Sequence, residues 1–321
     1  MTVETNRPPG RLFTFWSAGW VLVLAGIVAI IVTWQTLRLV DQHREVAFGD
    51  GQNIDTYRFA LSPSLLRSGA IVASGIPRNN IPAMSDPKFF TRLEFEFHPQ
   101  RKIRRLLVSA DRVVGVAIGD EARAYPLRIL NWHEVVNDTV GGVPIAVTYH
   151  PLCDSVAVFD RRVGEDTFEF RVSGLLYNSN QLLFPHREKP GGESLYSQLL
   201  AKAVTGPDAE AGKTLTVLPS KIVPWGDWKK EHPDTLVLEP DALFRKHYNR
   251  RPYSSYRGKQ MLRYPVDPYP PEGEWEPWSR VLAVIEPETG IRLIHDYEGN
   301  PPDSGDAGVI HAFWWSWSAI R

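Results

Sequence analysis

No residue between Arg11 and Arg38 carries a formal charge. The 26 residues Leu12 to Leu37, centred on the run Val21 to Val32, exceed the roughly 20 apolar residues that a helix needs to cross about 30 Å of hydrocarbon. Trp16 and Trp20 stand toward one end and Trp34 toward the other, where indole rings favour the headgroup level. The stretch predicts one transmembrane helix over 12–37 behind a short tail, 1–11, and makes the lipid bilayer the chain's first partner. A cleavable signal peptide is the competing reading, but its apolar region runs only about 7–15 residues, and no A-x-A site follows here. An uncleaved anchor is therefore favoured. Arg7 and Arg11 on one side balance Arg38 and Arg44 on the other, so charge does not orient the helix. A short tail held in the cytoplasm leaves the bulk of a single-pass cell-membrane protein extracytoplasmic.

The remainder balances 36 basic against 37 acidic side chains, which argues against a nucleic-acid partner or a disordered acidic tail. Cys153 is the only cysteine, so neither an intrachain disulfide nor a zinc site of two thiolates can form, and an exported domain must stand without disulfides. Residues 38–74 read as a juxtamembrane connector with one short helix around Ser64 to Ser68, and 75–321 as the extracytoplasmic domain. In that domain short β-prone runs alternate with glycine turns: Val113 to Ile118, Ala122 to Tyr125, Val143 to Tyr149, Val156 to Phe159 and Thr167 to Val172. Helices are expected over Ser194 to Ala203, with Ser194 as N-cap, and over Trp225 to Glu231, before the His232-Pro233 stop. The fold class is mainly β (α+β): antiparallel sheets with a few short helices. Tyr264 to Trp278, interrupted by five prolines, reads as an extended strap. Arg280 to Val284 echoes Arg112 to Val116, and Trp314 to Trp317 echoes Trp225 to Trp228, which raises a degenerate repeat over 279–321.

The densest chemical stretch runs from Asn131-Trp132-His133-Glu134 to Asn137-Asp138, followed after a glycine turn and one strand by Tyr149-His150-Pro151-Leu152-Cys153-Asp154. A strand entered through a tight turn returns its far end beside the preceding element, so His133, His150 and Cys153 are candidates to converge. Two imidazoles and a thiolate suit copper or zinc. The bland reading is an incidental His-x-x-Cys pair, a small buried cysteine and a satisfied core histidine. His133-Glu134 also opens like H-E-x-x-H, but Asn137 stands where the second histidine belongs, and no glycine run has the context of a phosphate loop. Ser173 to Asn180 is polar where a strand should end, so Ser173 and Asn178 can line a cleft or simply satisfy a turn.

Several of these strings, in this order, resemble a mainly bacterial domain-of-unknown-function family, number 3179. They are Ile81 to Pro87, Ala122 to Leu127, Asn131 to Asp138 with Gly141-Gly142, Phe159 to Arg161, Val172 to Leu175 and Ser194 to Gln198. The resemblance runs from about Gly75 to the C-terminus and implies export or membrane tethering, but it brings no settled activity. Where the family usually shows C-P-L-C, this chain has His150-Pro151-Leu152-Cys153. A redox disulfide cannot survive that exchange, whereas a metal site can take imidazole for thiolate.

The leading expectation is thus a membrane-anchored domain that holds copper or zinc through His133, His150 and Cys153, for redox catalysis or metal handling. Glu134 and Asp154 would be supporting carboxylates, with Asn131, Tyr149, Ser173 and Asn178 around the cleft. The alternative is a non-enzymatic binding or assembly module without metal. A hydrolase with Cys153 as nucleophile and His150 as base is a weaker third.

Overall fold

The computed structural model describes residues 22–34, 48–269, 275–286, 290–295 and 305–320. The chain divides into two units, Met1–Ala47 and Phe48–Arg321. In the first, residues 22–34 are helical, a length of about 20 Å. The rest of the expected membrane span, 12–21 and 35–37, lies outside the described residues, and among those described no helix is long and apolar enough to cross a membrane.

The second unit is built on an eight-stranded sheet. Strands Val135–Val140, Val143–His150 and Ser155–Asp160 form an antiparallel meander at its heart. Strand Gly308–Phe313 adds beside Ser155–Asp160, then Arg280–Glu286 and Gly290–His295, while Met84–Ser85 closes the other edge in parallel with Val135–Val140. The short strand Val217–Leu218 also pairs with Ser155–Asp160. Two five-stranded sheets cover its faces. One orders Lys221–Pro224, Arg112–Ile118, Glu121–Pro126, Leu236–Leu238 and Phe89–Thr91, and the other Ile71–Ala73, Phe170–Tyr177, Asn180–Pro185, Tyr196–Ser197 and Lys202–Ala203.

Period-2 alternation in the meander explains the layering. Val135, Ala146, Ala157 and Phe159 pack on Phe170, Val172, Leu183 and Tyr196 of one covering sheet. Their neighbours Val136, Val147 and Val158 face Val114, Val116, Tyr125 and Ile222 of the other. Each of the valine, leucine, isoleucine and phenylalanine side chains among them, fully buried, stabilises the fold by roughly 1.5–3 kcal/mol. Asn137 ties two layers together: its amide accepts from Phe170 N and donates to Phe170 O, both at 2.9 Å, as a paired strand would.

The fold is mainly β as expected, with two parallel pairings inside otherwise antiparallel sheets. The helix expected at Trp225 to Glu231 forms and stops at His232. The one expected over Ser194 to Ala203 does not: Tyr196–Ser197 and Lys202–Ala203 pair as strands. Buried polar partners overrule local propensity there. Ser194 Oγ accepts from Asp208 N, and Gln198 bonds Ser155 and Thr148. Nor is there a helix at 64–68, where Ser64 bridges to Thr205 and its hydroxyl accepts from Leu66 N. From Phe48 onward, the stretch expected as a connector belongs to the folded unit: Tyr57 is wholly buried, and Ile71–Ala73 pairs with Phe170–Tyr177.

The two segments that echo each other in sequence share a local geometry. Arg112 pairs with Pro224, and Trp225 N donates to Asp111 O at 2.8 Å; Arg280 pairs with Phe313, and Trp314 N donates to Ser279 O at 2.8 Å. The next amides follow suit, Gly226 N to Ser109 O at 2.8 Å and Trp315 N to Pro277 O at 2.9 Å.

Candidate functional site

Because side chains alternate across the meander, His150 points to the layer of Phe170–Pro185 and Tyr149 to the opposite layer. His150 borders a cavity of about 230 Å³ together with Glu134, Gln181, Tyr253, Arg263 and Tyr264. Glu134 reaches it because the helix Leu127–His133 ends there in a left-handed turn, with φ of 56° at Glu134. That conformation is costly for a non-glycine residue. It is held by the hydrogen bonds Glu134 N to Leu130 O, 2.9 Å, and Tyr149 N to Glu134 O, 2.7 Å.

The hairpin turn at Asn178-Ser179 sets the opposite wall. Both residues have positive φ, 47° and 59°, the signature of a two-residue turn that suits the twist of its strands. Asn178 then accepts from Asp267 N of the strap at 3.1 Å and donates to Ala319 O near the C-terminus at 2.7 Å, while Ser179 Oγ donates to Tyr264 O of the strap at 2.9 Å. Ser179 O meanwhile receives two donors from the meander end, His150 Nε2 at 3.0 Å and Cys153 Sγ at 3.2 Å.

A carbonyl only accepts, so His150 carries a hydrogen on Nε2. Its Nδ1 is buried without a hydrogen bond and faces Glu134 Oε2 at 3.6 Å, within ion-pair reach but too long for a direct hydrogen bond. The amide oxygen and nitrogen of Gln181, 1% exposed, likewise have no hydrogen-bond partner. Such groups are expensive to bury unpaired, which marks the cavity as a place for a ligand's own donors and acceptors. Burial, reinforced by Glu134, pushes the Tyr253 hydroxyl well above its ordinary value, so it too is a donor at neutral pH.

His133 does not join this group. Its Nδ1 lies 2.8 Å from Pro82 O and its Nε2 2.7 Å from Tyr248 Oη, which itself accepts from Asp241 N. Both ring nitrogens are spent, and burial pulls the imidazole below its usual value. The arrangement is that of a satisfied core histidine, bordering a separate cleft with Asp86 and Asp241. Among the described residues, no three His, Cys, Asp or Glu side chains form a group that could hold a metal ion. As arranged, His133, His150 and Cys153 do not fit the three-ligand copper or zinc set.

Asp154 is an anchor on the other side of the strand end. Wholly buried, it accepts two hydrogen bonds from Arg112 at 2.8 and 2.9 Å and one from Arg280 at 2.9 Å, with Arg257 at 3.1 Å. Burial alone would raise this carboxyl, but Arg112, Arg257 and Arg280 outweigh it and hold it well below the usual range. Tyr149 Oη donates to the same carboxylate at 3.1 Å. Tyr149 and Asn131 both line an arginine-rich cleft rather than the cavity. Ser173 is turned inward, donating to Leu182 O at 2.6 Å across the bulge between Val172 and Leu176.

Of the residues expected at the site, the structure thus brings His150 and Glu134 to one cavity, with Asn178 on the hairpin turn behind it and Cys153 bonded to that turn. Gln181, Tyr253 and Arg263 were missed. Gln181 sits in an apolar strand where only its lone polarity signals it, and the other two arrive from a loop more than a hundred residues away in sequence.

A three-layered β domain whose cavity sets a few polar groups in a largely apolar wall is the class that fold and site define. The family model described as a protein of unknown function (DUF3179) matches residues 78–297, and the chain belongs to that family. No curated protein and no solved structure matches significantly.

Proposed function

We propose that the chain is a membrane-tethered extracytoplasmic domain whose cavity binds a small polar molecule and exchanges a proton with it through the His150–Glu134 pair. The observation that carries the reading is the buried His150 Nδ1, without a hydrogen bond, 3.6 Å from Glu134 Oε2. With Nε2–H held by Ser179 O, two bare lone-pair groups would face each other unless one proton resides on Nδ1 or on the carboxyl. A ligand in the cavity beside the pair can therefore give up or receive that proton, while Gln181 and Tyr253 supply orienting hydrogen bonds. The uncharged stretch 12–37 supports the tether.

The test is ligand-observed NMR on the full chain in neutral detergent, with acetamide and lactate as probes. Saturable binding that is lost in Gln181→Leu and in His150→Phe but kept in His133→Ala supports the reading; no saturable binding of either probe removes it. Metal analysis by mass spectrometry on the same preparations is the second arm. Stoichiometric copper or zinc, lost in Cys153→Ala, would replace proton transfer by the metal reading. Carbonate extraction of membranes tests the tether, and release of the chain into the soluble fraction would exclude it.

A further inference from the structure

The arginine-rich cleft shares Tyr253 with the cavity, but the proton-transfer reading uses none of its arginines. It measures about 380 Å³ and is lined by Arg112, Arg128, Arg250, Arg251 and Arg257, with Asp111 as the one acidic side chain on its wall. Arg128 is held by Asp111 at 3.1 Å. Arg112 and Arg257 are held from beneath by Asp154, at 2.8 and 3.1 Å, and Arg257 also donates to Tyr149 Oη. Arg250 and Arg251 are exposed and make no ion pair with any described residue. Five guanidiniums against the carboxylates of Asp111 and Asp154 leave three positive charges uncompensated, and Arg280 on the far side of Asp154 adds to the excess.

Gathering like charges is unfavourable unless something of opposite sign is to be bound. Arg112 and Arg257 are also fixed in orientation by a buried carboxylate, and Arg257 Nε is buried without an acceptor. Guanidinium forks match a tetrahedral oxyanion, and an excess of three charges calls for more than one negative charge.

We infer that this cleft is a binding site for the dianionic phosphate group of a small molecule. Arg250 and Arg251 close on it from the rim, and Arg112 and Arg257 present the base. The site touches the cavity through Tyr253 alone, and since it rests on the arginines it stands whether or not that reading does.

The experiment follows thermal unfolding of the full chain in neutral detergent as inorganic phosphate is titrated at constant ionic strength, with chloride as the control. A saturable rise in Tm with phosphate and none with chloride is expected. Arg250→Gln with Arg251→Gln should weaken the apparent affinity at least about tenfold without lowering the phosphate-free Tm, since neither side chain makes an ion pair and their loss relieves like-charge repulsion. Repeating the titration with glycerol 3-phosphate separates the sources: tighter binding than phosphate identifies a phosphomonoester ligand, and equal or weaker binding identifies the free ion. No phosphate-specific shift, or the same affinity in the double variant, overturns the site.

Discussion

Arg112 and Arg280 start equivalent strands in two parts of the chain and end on the same carboxylate, that of Asp154. The echo between Arg112–Val116 and Arg280–Val284 is therefore a contact as well as a sequence likeness, and each strand turns its first side chain toward one buried charge. Asp154 sits at a left-handed position with φ of 45°, a conformation held because three guanidiniums fix its side chain.

Removing that charge should be the most damaging conservative change in the domain. Asp154→Asn leaves three guanidiniums without a counter-ion and is expected to cost about 3 kcal/mol, at the lower end for a broken buried pair because the arginines are part-exposed. Arg280→Gln leaves two partners in place and should cost roughly 1 kcal/mol. Urea unfolding of the variants checks the order, and an Asp154→Asn midpoint equal to that of Arg280→Gln would refute the anchor role.

Acid should weaken the domain in a defined window. His311, wholly buried in the strand Gly308–Phe313, is pulled down to about 4 by burial, partly opposed by Ser220 O and Asp154, while Arg112 and Arg280 add to the fall. In the unfolded chain the imidazole protonates near 6.5, so between about 6.5 and 4 the unfolded state binds more protons and stability falls as pH drops. Above that window this group has no effect; across all of it the loss approaches about 3 kcal/mol. His133, also pulled down by burial, adds in the same sense. Stability measured from neutral pH to about 4.5 should show the slope, and His311→Leu should flatten most of it. An unchanged slope in that variant would assign the effect elsewhere.

His133 is expected to matter for stability and not for the cavity. Its two hydrogen bonds, to Pro82 O and Tyr248 Oη, tie the helix Leu127–His133 to the segment before Met84 and to a distant loop. His133→Ala leaves those partners unpaired and should cost about 1–3 kcal/mol. Probe binding at the cavity should be unchanged; a loss of binding greater than the loss of stability explains would return His133 to the site.

The β architecture was legible because the short β-prone runs Val143–His150 and Ser155–Asp160, and glycine turns such as Gly141-Gly142, are local signals. Ser194 to Ala203 was misread because its serines and Gln198 answer partners at Asp208, Ser155 and Thr148 that no local window contains. The site was legible only in half. His150 and Glu134 stood out as polar residues at strand and helix ends, but the spacing could not tell that His133 leaves on the helix to meet Tyr248, or that the hairpin turn at Ser179 would take both His150 and Cys153 as donors.

Cys153 should be inert while the domain is folded. Burial pushes its thiol up to about 12, the nearby Ser316 and Asn180 side chains only partly offsetting that, and Sγ–H donates to Ser179 O at 3.2 Å. At neutral pH the thiolate fraction is then on the order of one in 100,000, and the thiolate is the reactive form. Iodoacetamide should label the native chain only as fast as the domain opens and should label it readily in urea. The rate should rise in Asp154→Asn in proportion to the stability lost, since opening then becomes more frequent. Rapid stoichiometric labelling of the folded protein, independent of stability, would instead identify an accessible nucleophile and revive a hydrolase built on Cys153 and His150.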